Sequence, residues 1–172
     1  MFGAAAREER AARCDQYGIR GIVAAQDVGL RYEIVRVARI ALDGQPDLLL
    51  GVPRLGHSDR VAEKLLANAD RCQDRSTAFR DAIDLGMLAL RRGAFPDPAV
   101  HKAQDAYGDD IVHKLAWAMA RLSDDDERRK TADTLSMAPA AVDAATLALT
   151  DEVRRLRPTF NQPPPLPPAP LG

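Results

Sequence analysis

The chain has 172 residues, of which 46% are hydrophobic and 5% are aromatic, and its formal net charge is −1. This length is typical of one domain, and the low aromatic content favours small, closely packed helices over a β-sandwich. The balanced charge excludes a bulk electrostatic attraction to nucleic acid or to an anionic membrane.

The N-terminal sequence MFGAAAREER carries charges where a signal peptide needs an apolar run. No stretch of the chain approaches the roughly 20 apolar residues of a membrane span. The two cysteines, Cys14 and Cys72, form no CxxC motif. We therefore expect free thiols, a cytoplasmic location (or a particle assembled in the cytoplasm) and no membrane partner.

The first part of the chain is predicted to form two helices, over residues 4–16 and 22–42. Gly18 ends the first helix, and Gly44 with Pro46 ends the second. In the second helix, the apolar face consists of Leu30, Ile34, Val37 and Ala41. Three arginines lie off that face and are predicted to contact a partner: Arg31, Arg36 and Arg39.

An apolar connector rich in glycine and proline, DLLLGVPRLGH, follows at residues 47–57. We expect it to be packed, and to contact a partner through Leu48, Leu50 and Leu55. Ser58 or Asp59 then caps a third helix. Its apolar stripe is Val61, Leu65, Leu66, Ala69 and Cys72.

The second half of the chain continues as predicted helices. Ser76 caps a helix with apolar residues at Phe79, Ile83, Met87 and Leu90. Further helices are predicted to begin at Asp97, at Asp109, after the cap Ser123, and at Pro139, the last ending near Arg157.

The C-terminal segment PTFNQPPPLPPAPLG favours polyproline II. Its overlapping PxxP frames are of the kind that docks on aromatic-lined grooves. The candidate partner-binding residues here are Pro164, Pro165, Leu166, Pro167 and Pro168.

The predicted fold is therefore a single all-α domain over residues 1–157, followed by an extended proline-rich tail over residues 158–172. Six to eight helices would pack as a bundle or an orthogonal array.

The segment TADTLSMAPAAVDAAT, residues 131–146, resembles the helix-turn-helix of bacterial regulators. Ala132 and Leu135 stand where the first helix packs on the second, and Val142 is the inward anchor of the second helix. Ser136 occupies the turn position that is usually glycine.

The chemistry of this segment argues against DNA recognition. A recognition helix reads bases with Arg, Lys, Asn, Gln, Ser or Thr near its start, whereas this one offers Ala140, Ala141 and Asp143. Basic residues nearby are Arg128, Arg129 and Lys130, but residues 124–157 carry eight acidic and six basic side chains. A local net charge of −2 is a poor match to phosphates, so the sequence favours a structural helical hairpin.

Catalytic motifs are not evident. The acidic run at residues 124–127 is explained by the dipole of a helix N-terminus, and the pair Asp109 and His113 by N-capping, although it could serve acid–base chemistry. GxSxG, GxxxxGK[ST], GxGxxG and HExxH are missing. No catalytic residue, metal ligand or cofactor is predicted, and an enzyme is the less favoured class.

The leading hypothesis from sequence is a non-enzymatic protein–protein interaction or assembly component, a structural subunit of a larger bacterial or phage complex. Its partners would be proteins, with a homo-oligomer as one option, and not nucleic acid. The alternative is a helix-turn-helix DNA-binding regulator that uses residues 131–146.

Overall fold

The computed structural model describes residues 7–25, 28–35, 39–49, 51 and 53–156. The chain divides into two compact units, Met1–Ala41 and Leu42–Gly172. In the described residues, the first unit is built from β-strands and the second from six helices with a small two-stranded sheet. The protein is therefore mixed α/β, and the prediction of an all-α fold is wrong.

The first unit is a three-stranded antiparallel meander of β1 (Arg7–Asp15), β2 (Gly18–Ala25) and β3 (Val28–Val35). It replaces the two helices predicted over residues 4–16 and 22–42. β3 alternates apolar and polar residues with a period of two, which places Val28, Leu30, Tyr32 and Ile34 on one face of the sheet. That alternation, together with the β-branched residues, favours a strand over a helix.

The register of β2 and β3 keeps apolar side chains together. Ile19 pairs with Ile34, and Gly21 pairs with Tyr32. A Cβ atom at Gly21 would lie 2.5 Å from the Tyr32 hydroxyl, so the tyrosine ring covers the glycine. The sheet is therefore amphipathic, with an apolar face that includes these pairs.

The second unit begins with β4 (Gly44–Gln45) and β5 (Arg54–Leu55), which pair antiparallel. A short 3-10 helix, Arg75–Thr77, lies between the first two of its α-helices. The helices are α1 (His57–Arg71), α2 (Arg80–Arg92), α3 (Asp97–Tyr107), α4 (Asp110–Leu122), α5 (Asp125–Leu135) and α6 (Pro139–Leu156). These six agree with the helices predicted for this part of the chain, but most of the predicted caps are wrong. The N-cap residues of α1, α2, α3 and α5 are Gly56, Phe79, Pro96 and Asp124, where Ser58 or Asp59, Ser76, Asp97 and Ser123 were expected.

The helical core is centred on the packing of α2 against α6. Gly86 permits this approach, because a Cβ atom there would lie 2.2 Å from the Ala145 carbonyl oxygen. The largest fully buried side chains are Phe95, Leu65, Leu66, Ile83, Leu85, Ile111, Leu115, Leu122, Leu149, Val61, Val142 and Val153. The apolar stripe predicted for the third helix is largely confirmed by this core. Of the four apolar residues predicted for the next helix, Ile83 is buried, Phe79 and Met87 are half-buried, and Leu90 is 53% exposed.

Buried carboxylates tie loops to this core. Asp59 accepts hydrogen bonds from Lys102 Nζ at 2.6 Å and from the Asp43 amide at 2.8 Å. Glu152 accepts one from the Phe95 amide at 2.9 Å.

Among the described residues, no helix combines the length and the apolar character that crossing a bilayer requires.

Candidate functional site

A cavity of about 290 Å³ lies between α1 and α2, with Leu55 of β5 also in its wall. Its apolar wall is formed by Leu55, Met87 and Leu88. Its charged lining consists of Arg60, Glu63, Lys64, Asp84 and Arg91. Three cations therefore share one small cavity with two carboxylates and an apolar surface.

Lys64 is the best-defined charged group of this cavity. Its ammonium nitrogen lies 2.5 Å from Asp84 Oδ2 and 3.2 Å from Asp81 Oδ1. The lysine side chain is 34% exposed and the Asp81 side chain is 4% exposed. The cation is thus held between two carboxylates of α2, one buried and one at the surface.

Arg71, at the end of α1, also pairs with Asp81, so Lys64, Arg71, Asp81 and Asp84 form one ion cluster. Its Nε donates to Asp81 Oδ2 at 3.0 Å and its Nη2 donates to Asp81 Oδ1 at 2.9 Å. This two-point pairing fixes the buried carboxylate in one orientation. Asp81 therefore bridges Arg71 and Lys64, which come from the same helix.

The spacing along the chain accounts for this cluster. Lys64 and Arg71 are seven residues apart, two helical turns, so they share one face of α1. Asp81 and Asp84 are three residues apart and share one face of α2. Because α1 and α2 pack together, the two faces of opposite charge meet.

The charges of the cluster control the protonation of Lys64. Burial by itself lowers the pKa of this lysine, but the hydrogen bond and charge of Asp84, followed by those of Asp81, outweigh it and raise the pKa above its usual value. Lys64 therefore stays cationic at neutral pH.

The cavity also contains Arg60, together with the Glu63 carboxylate. The Arg60 Nε atom is buried and has no hydrogen-bond partner in the described structure. Burial lowers the pKa of nearby His57, and the charges of Arg60 and Arg92 lower it further. A buried guanidinium nitrogen without an acceptor suits an anionic ligand.

Asp81 and Asp84 do not fit a metal ion. Asp81 is already occupied by Arg71 and Lys64, and Asp84 by Lys64. In the part of the chain that the structure describes, no group of three or more His, Cys, Asp or Glu side chains could hold one. These aspartates therefore hold the protein's own cations in place.

A second cavity, of about 280 Å³, lies beside α6 and contains Arg128 and Asp143. Among its described lining residues Arg128 is the one cation, and its guanidinium makes several hydrogen bonds within the protein. It donates to Asp143 at 2.8 Å, to the carbonyls of Leu122 and Ser123 at 2.8 and 3.0 Å, and to Asp125. Four of the five N–H donors of this arginine are therefore used within the protein.

The segment that resembles a helix-turn-helix is a tight hairpin of α5 and α6. Ser136 takes a left-handed conformation with φ 53°, and Ala132 and Val142 are buried between the helices. Asp143 accepts from Arg128, and exposed Arg129 and Lys130 pair with Asp126 and Glu127. The basic side chains of this surface are therefore paired with acidic ones, and Ala140 and Ala141 add no charge.

The predicted partner-binding residues are dispersed. Arg31 is exposed on β3 rather than on a helix, Arg39 lies in a bend, and Leu48 is 98% exposed. Leu55 lines the α1–α2 cavity. The remaining candidates lie outside the described residues: Arg36, Leu50, Pro164, Pro165, Leu166, Pro167 and Pro168. Their role in partner binding stays a prediction.

Lys64, Arg71, Asp81 and Asp84 were not among the site residues predicted from the sequence. The signal that could have found them is charge placed at helical spacing on two consecutive amphipathic helices, with the basic pair on the first and the acidic pair on the second. His113, which was considered for acid–base chemistry, is exposed on α4, next to its N-cap Asp109.

Comparison with known protein families gives a match. The family model described as "Nucleotidyl transferase AbiEii toxin, Type IV TA system" matches residues 27–163. No curated protein and no solved structure matches the chain. The family match overturns both functional hypotheses drawn from sequence, the structural assembly subunit and the DNA-binding regulator. A toxin–antitoxin family is consistent with the predicted protein partners.

Proposed function

The chain belongs to the AbiEii family of nucleotidyl transferase toxins, and we propose that it acts in nucleotidyl transfer, with the α1–α2 cavity binding the phosphates of a nucleoside triphosphate. The observation that carries this proposal is the placement of Lys64. It is a fixed, half-buried cation in a cavity that also contains Arg60 and Arg91.

The composition of the cavity matches such a ligand. A triphosphate carries several negative charges, and the cavity offers the three cations Arg60, Lys64 and Arg91 against the two carboxylates Glu63 and Asp84. The apolar wall of Leu55, Met87 and Leu88 offers a surface for a base or a sugar. The unsatisfied Arg60 Nε would gain a phosphate oxygen as its acceptor.

The proposed reaction transfers a nucleoside monophosphate. A hydroxyl oxygen of the acceptor forms a bond to the α-phosphorus, and the bond from that phosphorus to the bridging oxygen of the β-phosphate breaks. Pyrophosphate leaves with the electron pair, and the proton of the acceptor hydroxyl passes to solvent. Negative charge grows on the leaving group, so cations fixed around it stabilise the transition state.

The ion cluster serves this task by preorganisation. Asp84 and Asp81 hold Lys64 in one position before any ligand arrives, and Arg71 holds Asp81. A cation that is already oriented loses little conformational entropy when it meets a phosphate. Within this proposal Asp81 and Arg71 are positioning residues, and Lys64 contacts the ligand.

The direct test is a transfer assay with the full chain. Nucleoside triphosphates labelled at the α- or the γ-phosphate are incubated with the protein and a cell extract as the source of acceptors. We expect α-label in macromolecular product and γ-label in released pyrophosphate. Lys64→Met should abolish transfer, and Lys130→Met, which removes an exposed cation on α5, should leave it unchanged. Transfer of γ-label, or no transfer of either label, would refute the proposal.

The finer assignments of partner and place follow from the same proposal. The protein partner would be the antitoxin of a type IV toxin–antitoxin system, and the reaction would take place in the cytoplasm, where nucleoside triphosphates are abundant. A homo-oligomer remains a prediction from sequence.

A further inference from the structure

The turn that begins α2 has an unusual backbone. Ala78 has φ 46° and ψ 43°, and Phe79 has φ 55° and ψ 21°. Two consecutive residues other than glycine thus lie in the left-handed region, which is strained for a bulky side chain such as phenylalanine. Sterics alone would favour glycine or asparagine here.

Capping does not explain Phe79 either. It is the N-cap residue of α2, and its side chain makes no capping hydrogen bond. A common N-cap residue is Ser, Thr, Asp or Asn in an extended conformation. Some other interaction of the phenylalanine side chain must therefore compensate for the strain.

The ring of Phe79 packs against Trp117 of α4. The two ring centroids are 6.1 Å apart and the ring planes are tilted by 41°, an arrangement within the favourable range for aromatic pairs. Because Trp117 belongs to α4, this contact anchors the strained turn to a helix outside the α1–α2 pair.

We propose that Phe79 is a positioning residue of the cavity, because its contact with Trp117 fixes the first turn of α2 and thereby the carboxylates that hold Lys64. Asp81 is the second residue of α2 and Asp84 the fifth. A small rotation of this turn would carry Asp81 away from Arg71, to which it is held by bonds of 3.0 and 2.9 Å. Lys64 would then lose its fixed position.

This inference extends the proposed function, but its test does not depend on it. The acetylation rate of each lysine is measured by trace labelling and mass spectrometry in the absence of nucleotide. Lys102 of α3 is the internal control, since its ammonium nitrogen lies 2.6 Å from Asp59 Oδ1 in an ion pair away from the turn. Phe79→Leu keeps an apolar side chain but removes the ring, and Phe79→Tyr keeps the ring.

Phe79→Leu is expected to raise the labelling rate of Lys64 several-fold and to leave that of Lys102 unchanged, with Phe79→Tyr matching the wild type. Trp117→Leu, which removes the contact from the other side, should reproduce the effect and provides a second variant if the first fails to fold. An unchanged Lys64 rate, or an equal rise at Lys102, would overturn the inference. Failure of the wild type to bind inorganic triphosphate would count against the proposed function alone, because the acetylation rates are measured in the absence of any phosphate ligand.

Discussion

Arg71, the last residue of α1, donates two hydrogen bonds to Asp81 in the first turn of α2, one of 3.0 Å from Nε and one of 2.9 Å from Nη2. The same carboxylate accepts a bond from Lys64 at 3.2 Å. One buried aspartate thus joins both ends of the connection between α1 and α2, and it couples the stability of this helix pair to the position of the cation in the cavity.

This coupling predicts different effects for the two aspartates of the cluster. Asp81→Asn should lower the free energy of unfolding by about 2 to 3 kcal/mol, because charge-assisted hydrogen bonds to a buried carboxylate are lost. Asp84→Asn should cost less than about 1 kcal/mol, since the Asp84 side chain is 43% exposed. Urea denaturation of both variants measures this difference. Equal losses would contradict the assignment of Asp81 as the buried anchor.

The packing of α2 on α6 should be sensitive to one added carbon atom. In Gly86→Ala the new Cβ would lie 2.2 Å from the Ala145 carbonyl oxygen, and backbone atoms must shift, at a cost of about 1 to 3 kcal/mol. Gly56→Ala is the matched control, because its Cβ would meet the Gln45 side chain at an ordinary 3.6 Å. Thermal unfolding should separate the two variants, and an unchanged melting temperature for Gly86→Ala would refute this packing.

The contribution of Asp59 should depend on pH. The hydrogen bond from Lys102, followed by that from the Asp43 amide, lowers the pKa of Asp59 below its ordinary 3.8. The stabilisation by ionised Asp59 is therefore complete above about pH 3.8, and it is lost as the pH falls through the lower pKa of the folded state. Asp59→Asn should destabilise the protein at pH 7, and its difference from the wild type should shrink under acid conditions below pH 3.8. A difference that stays constant across this range would contradict the ion pair.

Arg128 and Arg129 are neighbours with different roles in the α5–α6 hairpin. Arg128→Ala removes bonds to Asp143 and to the last carbonyls of α4, so it should lower the melting temperature. Arg129→Ala removes an exposed pair with Asp126 and should leave it unchanged. Calorimetry on both variants tests this. Equal melting temperatures would show that the Arg128 network does not stabilise the hairpin.

The helical half of the fold could be predicted from the sequence, because its apolar residues recur at helical spacing. Most of them belong to the buried core, although in α2 only Ile83 of the four predicted residues does. The sheet could not be found in the same way. Leu30 and Ile34 are four residues apart, which fits a helix face, but they are also both even-numbered members of an alternating strand. The period of two becomes visible only when Val28 and Tyr32 are counted with them.

The candidate site was harder to predict than the helices. Lys64, Arg71, Asp81 and Asp84 belong to no short motif with a fixed chemistry, and charges on helices are usually solvated. Their function depends on two helices facing each other, which is a tertiary property. The sequence predicts that Leu55 contacts a partner from a packed connector, and the structure places it in the wall of the cavity.

The central claim is that Lys64 makes the α1–α2 cavity a phosphate-binding site. Titration calorimetry with inorganic triphosphate, on the wild type and on Lys64→Met, tests it most directly. We predict binding of one triphosphate per chain to the wild type, and an affinity at least about tenfold lower for Lys64→Met, the loss of roughly one charge-assisted contact. Equal affinity of the two proteins, or no binding by the wild type, would contradict it.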